Sequence, residues 1–305
     1  MDPLSDVFSL LDLQSAATAR FEAGGDWAFR FPAKPWLKIN AVLRGQCWIA
    51  LPGDPPRRLE TGDVFLLAEA PSFVLSGAPR GDADDVAPYP AAGRTGVMRH
   101  GGDDTVLIGS GFVFRDDNAR LLLDALPPLV HIPADASAAA ALRATLALLG
   151  PELADGGAMG SALVTRRLAD VLLVQALRAH VAAGGADGLG WIGALGDRAI
   201  GAALRLIHGD VGRRWTVAEL AASVGMSRSG FALRFRERTG RAPLDYLTHW
   251  RMQLARDALR HGAEPVASLA ARLGYASESA FGNAFKRVCG HAPKRYWAAV
   301  ATSTG

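Results

Sequence analysis

The chain has 305 residues, half of them hydrophobic and 21% charged, which excludes disorder, collagen and coiled coil as its main state and makes two domains the default. The net charge of +3 hides a contrast: residues 191–305 hold 17 Lys+Arg against 8 Asp+Glu, and the remainder 16 against 22. Two distant cysteines, Cys47 and Cys289, exclude a disulfide framework or a cysteine zinc site. No apolar run reaches the ~18 residues a membrane span needs, and an acidic start without a signal-peptide pattern makes a reducing cytoplasm the expected compartment.

Residues 4–20 predict a short helix, with Leu4, Val7, Phe8 and Leu11 at helical spacing. After Gly24-Gly25 come short segments at Leu37–Leu43, Gln46–Leu51, Arg57–Glu60, Val64–Ala68 and Phe73–Ser76. Turns at Arg44-Gly45, Pro52–Pro56 and Thr61–Asp63 separate them, so the pattern predicts an antiparallel sandwich or barrel. Residues 77–96 read as a long loop, and Gly96–His100 and Thr105–Phe114 as a further strand pair. From about Asn118 the period is helical, with Ala138–Leu149 and Ser161–Ala183 as helices. In the second, Leu163, Leu168, Val171, Leu172 and Gln175 lie near one stripe that either packs on the strands or pairs two copies into a homodimer, with Leu168, Leu172 and Gln175 central in a pairing. Ala183–Gly190 reads as a flexible linker. The expected fold class is therefore α+β multidomain. An N-terminal antiparallel β-barrel spans 1–135, a helical connection 136–183 and a linker 184–196, and an all-α domain with two helix-turn-helix units covers 197–298.

That last domain contains a duplication. Val217-Ala218, Leu220-Ala221-Ala222 and Gly225 recur 49 residues later as Val266-Ala267, Leu269-Ala270-Ala271 and Gly274. Ser229, Phe231, Phe235, Gly240, Ala242-Pro243 and Tyr246 recur 50 later as Ser279, Phe281, Phe285, Gly290, Ala292-Pro293 and Tyr296. Each copy reads as two short helices joined by a glycine turn, with Thr216, Ser227 and Ser277 as caps. Pro243–Arg260 reads as one longer helix between the copies.

At ~100° per residue, Phe231 and Phe235 point to one side and anchor the core, while Ser229, Leu233 and Arg236 point outward. In the second copy Phe281 and Phe285 anchor, and Ser279, Asn283 and Lys286 point outward. Such side chains suit duplex DNA: asparagine pairs bidentately with adenine, and Arg or Lys holds guanine or phosphate. The phosphate candidates are Arg228, Arg236, Lys286 and Arg287. The run from "WTVAELAASVGMSRSGFALRFRERTG" to "ESAFGNAFKRVCGHAPKRYW" resembles the DNA-binding domain of the AraC/XylS family of transcription regulators. That resemblance implies two recognition helices in successive major-groove segments of double-stranded DNA. It places Ser229, Ala232 and Leu233 at the base-reading positions of the first helix, and Glu278, Ser279 and Asn283 at those of the second. It also implies contact with RNA polymerase.

The acidic half, through "WLKINAVLRGQCWIALPGDPPRRLETGDVFLLAEAPSFVLSG", resembles the cupin-type N-terminal domain of one branch of the same family. Where many cupins hold a metal with histidines and a carboxylate, Lys38, Asn40 and Phe73 stand here, so no metal and no cofactor is expected. A small barrel can still enclose a small-molecule effector; Trp36, Ile39, Trp48, Ile49 and Phe65 are the candidate lining residues, with plain core as the alternative for each. His131 reads as a structural or surface histidine, "GSG" at Gly109–Gly111 lacks the lysine of a phosphate loop, and Cys47 reads as a buried thiol rather than a redox switch. The expected function is a cytoplasmic, effector-responsive DNA-binding regulator that is not an enzyme. Its rivals are a cupin enzyme fused to a DNA-binding domain and an architectural DNA binder with little sequence preference.

Overall fold

The computed structural model describes residues 2–11, 13–69, 71–83, 96–114, 122–136, 139–155, 158–183, 190–262 and 264–303. They pack as two compact units, one drawn from residues 13–183 and the other joining 2–11 to 190–303. Most of the expected loop at 77–96, and of the expected linker at 183–190, lies outside the described residues.

The first unit is built from strands β1 (Leu13–Ala23), β2 (Ala28–Phe31), β3 (Leu37–Arg44), β4 (Gln46–Ala50), β5 (Arg57–Glu60), β6 (Val64–Leu67), β7 (Phe73–Ser76), β8 (Gly96–His100), β9 (Thr105–Phe114) and β10 (Leu129–Ile132). They form two sheets, ordered β10-β6-β3-β9-β1-β8 and β2-β7-β4-β5. Every ladder is antiparallel except β1–β8. The expected helix at 4–20 stops early: α1 spans Pro3–Leu10, capped by Asp2, whose carboxylate accepts from the Ser5 amide at 3.0 Å. The helical spacing ends at Leu11, and β1 then buries Phe21 and Ala23 with period 2. This strand also corrects the expected β8–β9 pair. Both strands form, but β1 lies between them and supplies a ladder to each. Strand β10 replaces part of the expected helical stretch after residue 118, pairing with β6.

Strand β3 is central and buried over Leu37–Val42. Lys38, Asn40 and Val42 alternate with Leu37, Ile39 and Ala41, so the strand must satisfy two different surroundings. Helices α2 (Ala139–Asp155) and α3 (Ser161–Ala182) pack against β1 and other strands of the same sheet. Helix α3 buries Thr165, Ala169, Leu172, Leu173, Ala176 and Leu177 within its own unit. Leu172 is thus unavailable for a central place in a dimer stripe. The large apolar side chains of this helix that are exposed are Leu163, Val164 and Val171, with Leu168 half-buried.

The second unit contains α4 (Trp191–Leu195), α5 (Arg198–Gly209), α6 (Val217–Ser223), α7 (Arg228–Thr239), α8 (Pro243–His261), α9 (Val266–Arg272), α10 (Glu278–Cys289) and α11 (Pro293–Ser303). The long helix α8 contacts α7, α10 and α11. Helix α1 belongs here too, packed on α5 and α8 rather than with the strands that follow it in sequence. Its polar anchor is Asp6, whose carboxylate lies 3.3 Å from His208 Nδ1; His208 Nε2 lies 2.9 Å from the Tyr246 hydroxyl, and the imidazole stacks on Trp250 at 4.3 Å. Burial pushes His208 down to about 3 and raises both the Asp6 carboxyl and the Tyr246 phenol. A neutral imidazole therefore donates from Nδ1 to Asp6 and accepts the Tyr246 proton at Nε2.

Because His208 titrates near 6.5 when unfolded and about 3 when folded, the folded state binds fewer protons between those values. The stability it contributes is present above pH 6.5 and falls as pH drops, by about 1.5–2 kcal/mol between pH 6.5 and 5. Urea midpoints of the full chain at pH 7.5, 6.5 and 5 should show this slope. The His208→Gln chain should be weaker at pH 7.5 but flatter with pH, and an identical slope in both would contradict the assignment.

Candidate functional site

Each copy of the duplication is closed by the same three rings. Phe231 and Phe235 are fully buried with centroids 5.5 Å apart, and Tyr246 meets Phe235 edge-on at 5.7 Å. In the second copy Phe281 and Phe285 are 5.8 Å apart, and Tyr296 meets Phe285 edge-on at 5.7 Å. The caps match as well. Ser227 and Ser277 accept from the Gly230 and Ala280 amides at 3.2 and 3.1 Å, and Gly240 and Gly290 end their helices in the left-handed conformation. The first copy adds a capping box between Thr216 and Glu219, whereas the second has Pro265 in place of Thr216. Gly274 is required by contact rather than by conformation alone: at φ +79° any Cβ there would collide with the Gly212 carbonyl oxygen.

With the rings turned inward, the expected reading positions face solvent. Ser229 and Leu233 on α7, and Glu278, Ser279 and Asn283 on α10, are exposed, while Ala232 is half-buried at the edge of the same face. Leu233 is 62% exposed, an unusual position for a large apolar side chain. The phosphate candidates Arg228, Arg236, Lys286 and Arg287 are exposed too. No salt bridge holds any of the four among the described residues.

Other arginines of the basic half are engaged internally, which sequence counting missed. Arg234 and Arg238 lie 2.9 and 3.5 Å from the Asp197 carboxylate. Burial works to raise Asp197, but the Ile200 amide and Arg234 outweigh it and hold the carboxyl low. Arg251 is buried, donating to the Val211 and Arg213 carbonyls at 2.8 Å each and lying over the Tyr275 ring. It ties the segment before the first helix-turn-helix to the turn of the second. Arg256 lies over the Tyr296 ring, with its centroid at 5.6 Å.

The strand unit holds a partly open cavity of about 60 Å³, lined by Trp36, Lys38, Asn40, Phe21, Phe31, Gly109 and other residues. Among the expected lining residues, Trp36 is there. Ile39 is not, because it points to the opposite face of β3 from Lys38 and Asn40. Ile49 and Phe65 are sealed in the sandwich core, and Trp48 alternates away from Ile49 and is half-buried. Lys38 sits 5.1 and 5.0 Å from the Phe31 and Phe73 ring centroids, and burial pushes its ammonium down to about 7. The Lys38 ammonium, the Asn40 carboxamide and the Phe73 phenyl do not make a donor set that fits a divalent metal. His131 pairs with Asp63 at 3.0 Å, as a structural histidine would. Cys47 is buried and its thiol is pushed up to about 12, which disfavours the reactive thiolate.

A family model described as Cupin matches residues 2–182, and one described as Helix-turn-helix domain matches residues 220–299. Two proteins named as AraC-like transcription regulators, from Streptomyces lividans and Streptomyces antibioticus, are each 43% identical over 298 residues, covering 97% of this chain and 98% of theirs. The HTH-type transcriptional regulator AlkR of Acinetobacter baylyi is 28% identical over 316 residues, covering 97% of this chain and 99% of its own.

The two faces of α10 predict opposite outcomes. Phe285→Ala should cost about 3–5 kcal/mol in urea unfolding, whereas Asn283→Ala, two residues away, should stay within about 0.5 kcal/mol of the parent. Equal losses would mean that Asn283 is a core residue.

Proposed function

This chain belongs to the family of AraC-like transcription regulators, and from that membership we propose that it reads duplex DNA through α7 and α10 under the control of an effector held in the strand unit. It is a DNA-binding transcription regulator with a cupin domain before its helix-turn-helix domain. The observation that carries the finer reading is the repeated ring triad, which turns an uncompensated polar and basic face outward in both copies. Arg228, Arg236, Lys286 and Arg287 contact phosphates and supply the salt-dependent affinity. Ser229, Ala232 and Leu233 on α7, with Glu278, Ser279 and Asn283 on α10, meet base edges; Leu233 and Ala232 offer apolar contact to a thymine methyl, and Asn283 a bidentate pair to adenine.

The rest follows the same division of labour. The strand unit senses rather than catalyses, since Lys38, Asn40 and Phe73 stand where a cupin enzyme would ligate metal. The bound regulator acts on RNA polymerase at a neighbouring promoter. Two copies pair through a row of α3 formed by Val164, Val171 and the half-buried Leu168, where Val164 and Val171 are 41% and 44% exposed. This replaces the stripe through Leu172.

Genomic footprinting should yield one recurrent motif, and competition against random duplex should favour that motif by at least about a thousandfold. A ratio near one would support an architectural binder instead. On the motif duplex, Asn283→Ala should cost about 1–3 kcal/mol and relax one base preference. Lys286→Ala should weaken all duplexes alike and lower the salt slope by about one. An Asn283→Ala protein with unchanged preference at every position would remove Asn283 from the reading set.

A further inference from the structure

We propose that the cavity of the strand unit binds a small monocarboxylate, with its carboxylate held by Lys38 and Asn40 and its apolar body against the surrounding rings. This rests on the reading of the strand unit as the effector-holding part and adds the chemical class of the effector. Lys38 and Asn40 are two residues apart on β3, so period-2 alternation sends both side chains to the inner face, where both line the cavity. Lys38 brings a cationic donor into an apolar setting between the Phe31 and Phe73 rings. Asn40 is 9% exposed, and its Nδ2 has no hydrogen-bond partner. A buried donor left without an acceptor is costly, and a ligand oxygen would recover that cost.

The opposite strand is cut back to make this possible. Gly109 pairs with Asn40, and Gly111 with Lys38, in the β3–β9 ladder. A Cβ at Gly109 would come within 2.6 Å of Asn40 Oδ1, and one at Gly111 within 2.8 Å of the Trp36 ring. Glycine at both positions lets Asn40 and Trp36 lie against β9 and keeps the space open. The "GSG" triplet thus has a steric use on a strand. Apart from Ser110, whose hydroxyl pairs with Thr18 at 2.9 Å, the other walls are apolar, among them Phe21, Leu75, Met98 and Leu107, and no acidic residue is in the described lining. Two donors, one of them charged, within apolar walls select an acceptor-only anion with a hydrocarbon body. The volume of about 60 Å³ exceeds the ~10–15 Å³ that one water needs, so it suits a short-chain or single-ring acid.

The test is thermal melting of the full chain without DNA, titrated with acetate, propanoate, butanoate and benzoate at constant ionic strength, against butanamide and benzamide. At least one acid should raise Tm saturably, and its amide should not. Lys38→Met should weaken that acid about a hundredfold, and Asn40→Ala about tenfold. Four silent acids, an amide as effective as its acid, or full retention of the shift in Lys38→Met would each overturn the proposal. The acid–amide contrast needs only the parent chain, so it decides the matter even where a variant folds poorly. Because DNA is absent, a failed titration leaves the footprinting result standing, and a failed footprint leaves the titration readable.

Discussion

The helical unit depends on the rotation of two helices about their own axes. Phe231 and Phe235 fix it in α7, and Phe281 and Phe285 in α10, with Tyr246 and Tyr296 closing each set from the following helix. Four phenyl groups, all fully buried, leave the helices no freedom to turn. A shift of one residue, about 100°, would carry Asn283 toward the core and bring a ring to the surface. What each copy presents to a duplex is therefore decided on its buried side.

Net charge is a blunter guide than this rotation. The basic half contains 17 Lys+Arg, yet several serve the fold. Arg234 and Arg238 share Asp197, which also caps α5; Arg251 holds two carbonyls and a ring. Such groups keep much of their charge, but their hydrogen-bonding capacity is committed within the fold rather than offered to a phosphate. The cations left outward on the recognition helices are fewer and better placed.

In the strand unit a single strand carries two tasks. One set of β3 residues, Leu37, Ile39 and Ala41, is ordinary aliphatic core, while the alternating set brings Lys38 and Asn40 to the space between the sheets. Burying an ammonium is costly, and the neighbouring phenyl rings recover part of that through their negative faces. The first helix shows the reverse economy of position. It opens the chain in sequence but completes the helical unit, through Asp6, His208 and Tyr246.

The duplication, the caps, the ring spacing and the outward positions of α7 and α10 were all legible along the chain, because helix periodicity and capping are local physics acting over a few residues. Strands β3 to β7 were legible for the same reason: their turns carry glycine, proline and aspartate. What could not be read was anything set by distant partners. Strand β1 is a strand because β8 and β9 flank it, and the small residues Ala16, Ala17 and Ala19 carry no period of their own. The pairing of Asp6 with His208, the commitment of Arg251, and the choice of Lys38 and Asn40 over Ile39 as cavity walls each require two segments far apart in sequence to meet. Pattern along a chain sets the shape of an element and its faces; which face meets which neighbour is a property of packing, and the cavity exists only there.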